Sequence, residues 1–138
     1  MKNCVWKILI ICLCCMVQVY TTDMGLSSSL INQIFQDQQG FVWVATEYGL
    51  NKFDGLRFTN YRHVSADSSS IKSNYVRTLF EDSRCNLLVG CIDGLMKYDR
   101  ETDTFLEIPM FRAGKRVFSH ITQMQELHNG EIWLTTTG

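Results

Sequence analysis

From residue 30 onward, apolar and polar positions alternate in short runs, and no stretch shows the 3.6-residue apolar period of a helix. The first run is Leu30 to Gln36, with Ile31 and Ile34 apolar. Phe41 to Glu47 is dense in β-branched and aromatic residues, as strands are. Leu50 to Phe53 and Arg57 to Tyr61 follow. Turn chemistry separates these runs. Asp37-Gln38-Gln39-Gly40 places an acceptor at the start of a tight turn and a glycine at its left-handed end. Tyr48-Gly49 joins the second run to the third, and Asp54-Gly55 is a two-residue hairpin signal. The pattern predicts four short antiparallel strands joined by hairpins.

The pattern then repeats. Residues 34–54 align with residues 79–99 at a constant offset of 45, with identities at Phe35/Phe80, Asp37/Asp82, Val44/Val89, Gly49/Gly94, Leu50/Leu95, Lys52/Lys97 and Asp54/Asp99. A third copy places Gly130 under Gly40, Trp133 under Trp43 and Thr136 under Thr46, while Ile31, Val76 and Ile121 share a column. Four strands in a 45-residue period describe one β-propeller blade. The fold expected is all-β, with blades at about 30–64 and 75–110 and the start of a third at 119–138. The second blade lengthens its last turn to Asp99-Arg100-Glu101-Thr102-Asp103. Residues 66–70 and Phe111-Arg112-Ala113-Gly114-Lys115 read as surface linkers between blades. About two and a half blades are present, where closure usually takes four to eight. The expectation is therefore a fragment whose remaining blades are its first partners.

Ten recurrent positions carry this reading: Asp37, Gly40, Trp43, Gly49, Asp54, Asp82, Gly94, Asp99, Gly130 and Trp133. Each is assigned a structural role. The aspartates and glycines make turns. Trp43, Leu88 and Trp133 are wedges between neighbouring blades, with the small Ala45, Gly90 and Thr135 two residues further on.

The N-terminus has a different character. Lys2 and Lys7 flank the start of an apolar run, Ile8 to Val17, about half the length of a membrane span. This is the layout of a secretory signal peptide, assigned to residues 1–21 and preceding a partial propeller at 22–138. Four cysteines, Cys4, Cys12, Cys14 and Cys15, lie inside it. The other two, Cys85 and Cys91, are six residues apart, about 20 Å along a strand and beyond disulfide reach.

Charge and candidate chemistry narrow the function. A net charge of −1 argues against a nucleic-acid-binding face, which needs a basic excess. His63, His120 and His128 share no spacing with each other or with acidic residues, so no catalytic residue, metal ligand or cofactor site is assigned. Ser27-Ser28-Ser29 and Ser68-Ser69-Ser70 read as loop composition.

The repeat resembles the two-component regulator propeller repeat. Gly25-Leu26-Ser27-Ser28-Ser29 is similar to its lead-in, and Ile34, Asp37, Gly40, Trp43, Thr46, Gly49, Leu50 and Asp54 follow its pattern. Leu79, Asp82, Gly90, Gly94, Leu95 and Asp99 follow it again. Ala45 departs from the usual glycine, and Cys85, Leu88 and Cys91 depart from glycine, tryptophan and threonine, which is expected to relax one turn and one wedge. The resemblance implies the periplasmic sensor region of a membrane-anchored, dimeric hybrid histidine kinase of a Gram-negative bacterium. It also implies a carbohydrate ligand, a small molecule or oligosaccharide, and no catalysis in this segment. An exported propeller enzyme, such as a glycan lyase or hydrolase, and a periplasmic protein-binding scaffold are the alternatives.

Overall fold

The structure is a computed structural model that describes residues 18–137. Most of the expected signal peptide lies outside the described residues. Two complete blades and one hairpin of a third make up the fold. Blade 1 contains β1 (Ile31–Gln36), β2 (Val42–Thr46), β3 (Gly49–Phe53) and β4 (Phe58–Tyr61) in that spatial order, all antiparallel. Blade 2 repeats it with β5 (Val76–Glu81), β6 (Leu87–Cys91), β7 (Gly94–Asp99) and β8 (Thr104–Ile108). After a small hairpin, β9 (Met110–Arg112) and β10 (Lys115–Val117), blade 3 begins with β11 (His120–Glu126) and β12 (Ile132–Thr137). Among the described residues the only helical piece is a single 3₁₀ turn, Thr22–Met24. No helix there is long and apolar enough to cross a membrane.

The blades meet through their first strands, with β1 against β5 and β5 against β11. The repeated apolar positions explain the packing. Val76 and Leu79, in the columns of Ile31 and Ile34, are buried against blade 1, and Ile121 is buried against blade 2. Gly90 makes the second contact possible: a Cβ there would stand 2.6 Å from Thr78 Cγ2 and 2.9 Å from Ile121 Cβ. The small residue expected after the wedge therefore has a specific cause, the close approach of the next blade's first strand.

Turns follow the repeat. Gly49 and Gly94 have φ of 126° and 145°, as the turn reading requires. Three details differ from expectation. The fourth strand of blade 1 is reached by a turn centred on Gly55-Leu56, not Asp54-Gly55: Asp54 precedes it and Asp54 Oδ1 accepts the N–H groups of Leu56 and Arg57. Phe111 to Lys115 is no open linker. Ala113 and Gly114 both take positive φ (49° and 76°), the mirror-image turn that matches strand twist, and fold the segment into β9–β10. Finally, Cys85 does not relax its turn. It holds the left-handed conformation at φ 62° and donates its N–H to Asp82 O at 3.0 Å, as Gly40 does to Asp37 O at 2.9 Å.

A side chain in the left-handed region costs about 1 kcal/mol relative to glycine. Cys85→Gly is therefore expected to raise stability by about that amount in a denaturant titration. Gly90→Ala is expected to lower it by about 1–3 kcal/mol, through overpacking against Ile121.

Candidate functional site

Two regions carry organised polar chemistry: the seam between blades at the β1–β2 turn, and the inner strands. At the seam, Asp37 is buried although it is a carboxylate. Its Oδ1 accepts the N–H groups of Gln39 and Phe41, which holds the turn. Its Oδ2 accepts the Trp43 indole N–H at 2.9 Å and an Arg100 guanidinium N–H at 2.8 Å. Arg100 also reaches Gln39 Oε1 and, through its other terminal nitrogen, Glu81 Oε1 at 2.7 Å. Burial alone would raise the Asp37 carboxyl pKa. The Trp43 and Arg100 hydrogen bonds, the Phe41 amide and the Arg100 charge outweigh it and hold the group below the usual carboxylate range.

Arg100 belongs to the lengthened turn of blade 2, which therefore clasps blade 1. Asp103, at the other end of that turn, takes φ 56° and accepts hydrogen bonds from Tyr61 of blade 1 and Tyr98 of blade 2. Trp43 is fully buried between the blades, 4.8 Å from Tyr98 and 5.9 Å from Tyr61 between ring centroids. Lys52 donates to Tyr98 Oη at 2.9 Å and lies 4.3 Å from the Phe41 ring centroid.

The other recurrent positions make local contacts, and Trp133 does not stand between two described blades. Asp82 Oδ1 accepts the N–H groups of Arg84 and Asn86, and Oδ2 takes the Asn86 amide because Leu88 has no indole N–H. Asp99 caps the N–H of Glu101. Gly130 closes the β11–β12 turn at φ 82° with Leu127 in the aspartate column. Trp133 is 64% exposed, where Trp43 is 0%. Cys91 is buried, which pushes its thiol up to about 12 and keeps it neutral. Cys85 and Cys91 are both free.

The second region lies along the first strand of each blade. Pairing of the first strand shifts register at one place in every blade, between Ile31 and Gln33, Val76 and Thr78, and Ile121 and Gln123. The bulged residues are Asn32, Arg77 and Thr122, again 45 apart. Arg77 and Thr122 line both an open groove of about 860 Å³ along the inner strands and a smaller cleft of about 270 Å³. Tyr75, Ile92, His120 and Thr137 complete the cleft. Of the three histidines, only His120 lines it; His63 is tied to Ile71 O, and His128 sits exposed in the β11–β12 turn. The column of Asn32, Arg77 and Thr122 was the available signal, but its residues differ in every copy.

Comparison with known proteins agrees with this architecture. Residues 25–48 match the family described as "Two component regulator propeller". The extracellular domain of a protein described as the hybrid two component system BT3049 of B. thetaiotaomicron superposes with a TM-score of 0.72. Identity is 29%, over 85% of this chain and 17% of that one. The extracellular domain of BT4673 of the same organism superposes with a TM-score of 0.73 at 20% identity, over 88% and 17%. Histidine kinase P4 of Formosa agariphila is 50% identical over 52 residues, 38% of this chain and 4% of that protein. The chain thus spans a small part of each of these relatives.

Two substitutions and an acid titration test the seam. Asp37→Ala is expected to cost about 3 kcal/mol, because it strands Arg100 and the Trp43 N–H. Arg100→Gln should cost less, since that side chain is partly solvated. Asp37 and Asp82 both have depressed folded values, so their contribution is full above about pH 4 and is lost as pH falls through those values. Thermal melts between pH 6 and 2 should show wild type losing stability more steeply than Asp37→Asn.

Proposed function

We propose that this chain is part of the extracytoplasmic sensor propeller of a two-component signalling receptor. The receptor is exported by the N-terminal signal segment and faces the periplasm from the inner membrane of a Gram-negative bacterium. It is a membrane-anchored, dimeric hybrid histidine kinase that answers to a carbohydrate, and the propeller segment binds rather than catalyses. The observation that carries the reading is the likeness, over most of the chain, to the extracellular domain of a hybrid two component system, joined to the family repeat at residues 25–48. The seam supports it: the recurrent chemistry of the repeat is used in packing, with the buried aspartates and tryptophan all satisfied within the fold.

The remaining blades of the same protein are the nearest partners of the described surface. Ile31 and Ile34 are 44% and 63% exposed on blade 1, whereas their counterparts Val76 and Leu79 are buried at 0% and 3%. Trp133 shows the same contrast with Trp43 on the other side. The last blade of a closed ring and the blade after β12 would cover them as blades 1 and 2 cover each other.

Three measurements test this. Alkaline phosphatase fused after residue 112 should be active in a Gram-negative host; an inactive fusion would remove the export reading. Autophosphorylation of the full-length receptor in membranes should change with one class of saccharide; no response to any saccharide would overturn carbohydrate sensing. Residues 23–138 expressed alone should elute as aggregates or melt without cooperativity, owing to the uncovered Ile34 and Trp133 faces. A monomer with a sharp transition would show that no further blades are needed.

A further inference from the structure

The repeated bulge separates three side chains that equivalence alone would treat alike. A bulge leaves one residue outside the ladder and re-aims its side chain, a device common beside binding sites. In blade 1 the re-aimed residue is Asn32, whose amide donates to Val76 O at 2.8 Å and so joins the blades. In blade 3 it is Thr122, whose hydroxyl meets Thr135 O and Oγ1. In blade 2 it is Arg77, which is exposed and makes no hydrogen bond or ion pair among the described residues.

Arg77 is also the cation of the small cleft. Around it stand the imidazole of His120, the hydroxyls of Thr122, Thr137 and Tyr75, and the apolar wall of Ile92. Tyr75 is held in place by its hydrogen bond to Glu47 Oε1 at 3.1 Å, from the β2–β3 turn of blade 1. The cleft therefore joins one unpaired guanidinium to several hydrogen-bonding groups, and it shares Arg77 and Thr122 with the longer groove, which Gln123 and Gln125 also line.

We propose that the Arg77 cleft between blades 2 and 3 is a subsite for the oxyanion of an acidic saccharide, with Arg77 holding a carboxylate or sulfate. A planar guanidinium takes either group through two parallel N–H bonds. His120, Thr122 and Thr137 then meet the sugar hydroxyls, and the Gln123 and Gln125 amides receive the following residues of the oligosaccharide, the Gln33 amide being held by the Leu79 backbone. The proposal rests on the carbohydrate-sensing reading and narrows it to acidic ligands.

The test uses the full-length protein on an array of uronate-containing, sulfated and neutral oligosaccharides, with Arg77→Gln and Arg77→Lys beside wild type. Wild type should bind acidic members over their neutral counterparts. Arg77→Gln should lose about tenfold or more of that affinity, as removal of a charged hydrogen bond does, with an unchanged melting temperature. Arg77→Lys should recover part of it. Uronates and sulfated sugars on separate spots show which oxyanion is bound. Binding of neutral sugars alone, or acidic binding indifferent to Arg77→Gln, would overturn the subsite and leave carbohydrate sensing standing. Binding of no saccharide would overturn both. A lowered melting temperature in Arg77→Gln with unchanged binding would make Arg77 a structural partner of another blade, and would also overturn the proposal.

Discussion

A four-stranded blade has two broad faces, and nothing within its own repeat covers either. Every other feature of this protein follows from that constraint. Apolar side chains at fixed columns must meet the same columns of the next blade, so the repeat length is held at 45 even where a turn changes. Val76, Leu79 and Ile121 are buried because a preceding blade is present, and Ile31 and Ile34 are exposed where none is described. Gly90 shows how tight the contact is, since one methyl group would collide with the neighbouring strand.

Hydrophobic contact alone would let two twisted sheets slide. Polar groups at the seam fix their register. Glu81 accepts the Gln38 N–H from the turn of the previous blade, and Glu126 accepts the N–H and hydroxyl of Ser83 in the same way. Arg100 and Asp103 add a clasp specific to blades 1 and 2, built from the one turn whose length departs from the repeat. With the seam rigid, the inner strands are free to differ. The bulge in each presents a polar residue with a different use: Asn32 bonds to the next blade, Thr122 to its own hairpin, and Arg77 to no group among the described residues.

The turns and strands were legible because their causes are local. Asp37, Gly40 and Gly49 act within a few residues of themselves, and alternation of side chains along a strand needs no partner to be read. The Phe111–Lys115 segment departs from the linker that its sequence predicts for the opposite reason. Its polar composition resembles a linker, while its conformation depends on two successive left-handed residues, Ala113 and Gly114. The Cys85 turn held although its glycine is gone, because Asp82 and the flanking strands outweigh the local strain.

By itself the sequence determined the blade: its period, its strand order, its turn residues and the columns that face a neighbour. Periodicity records these because each blade meets the same environment and keeps the same residue types. Only the tertiary structure decided how blades are joined and where polar groups converge. Arg100 lies 63 residues from Asp37, and Arg77 and His120, which line one cleft, are far apart in the chain, so no local pattern links them. Such residues occur once, in a single blade, and a repeat averages them away. Their roles arise from distance in space, which is set when the apolar faces close and not before.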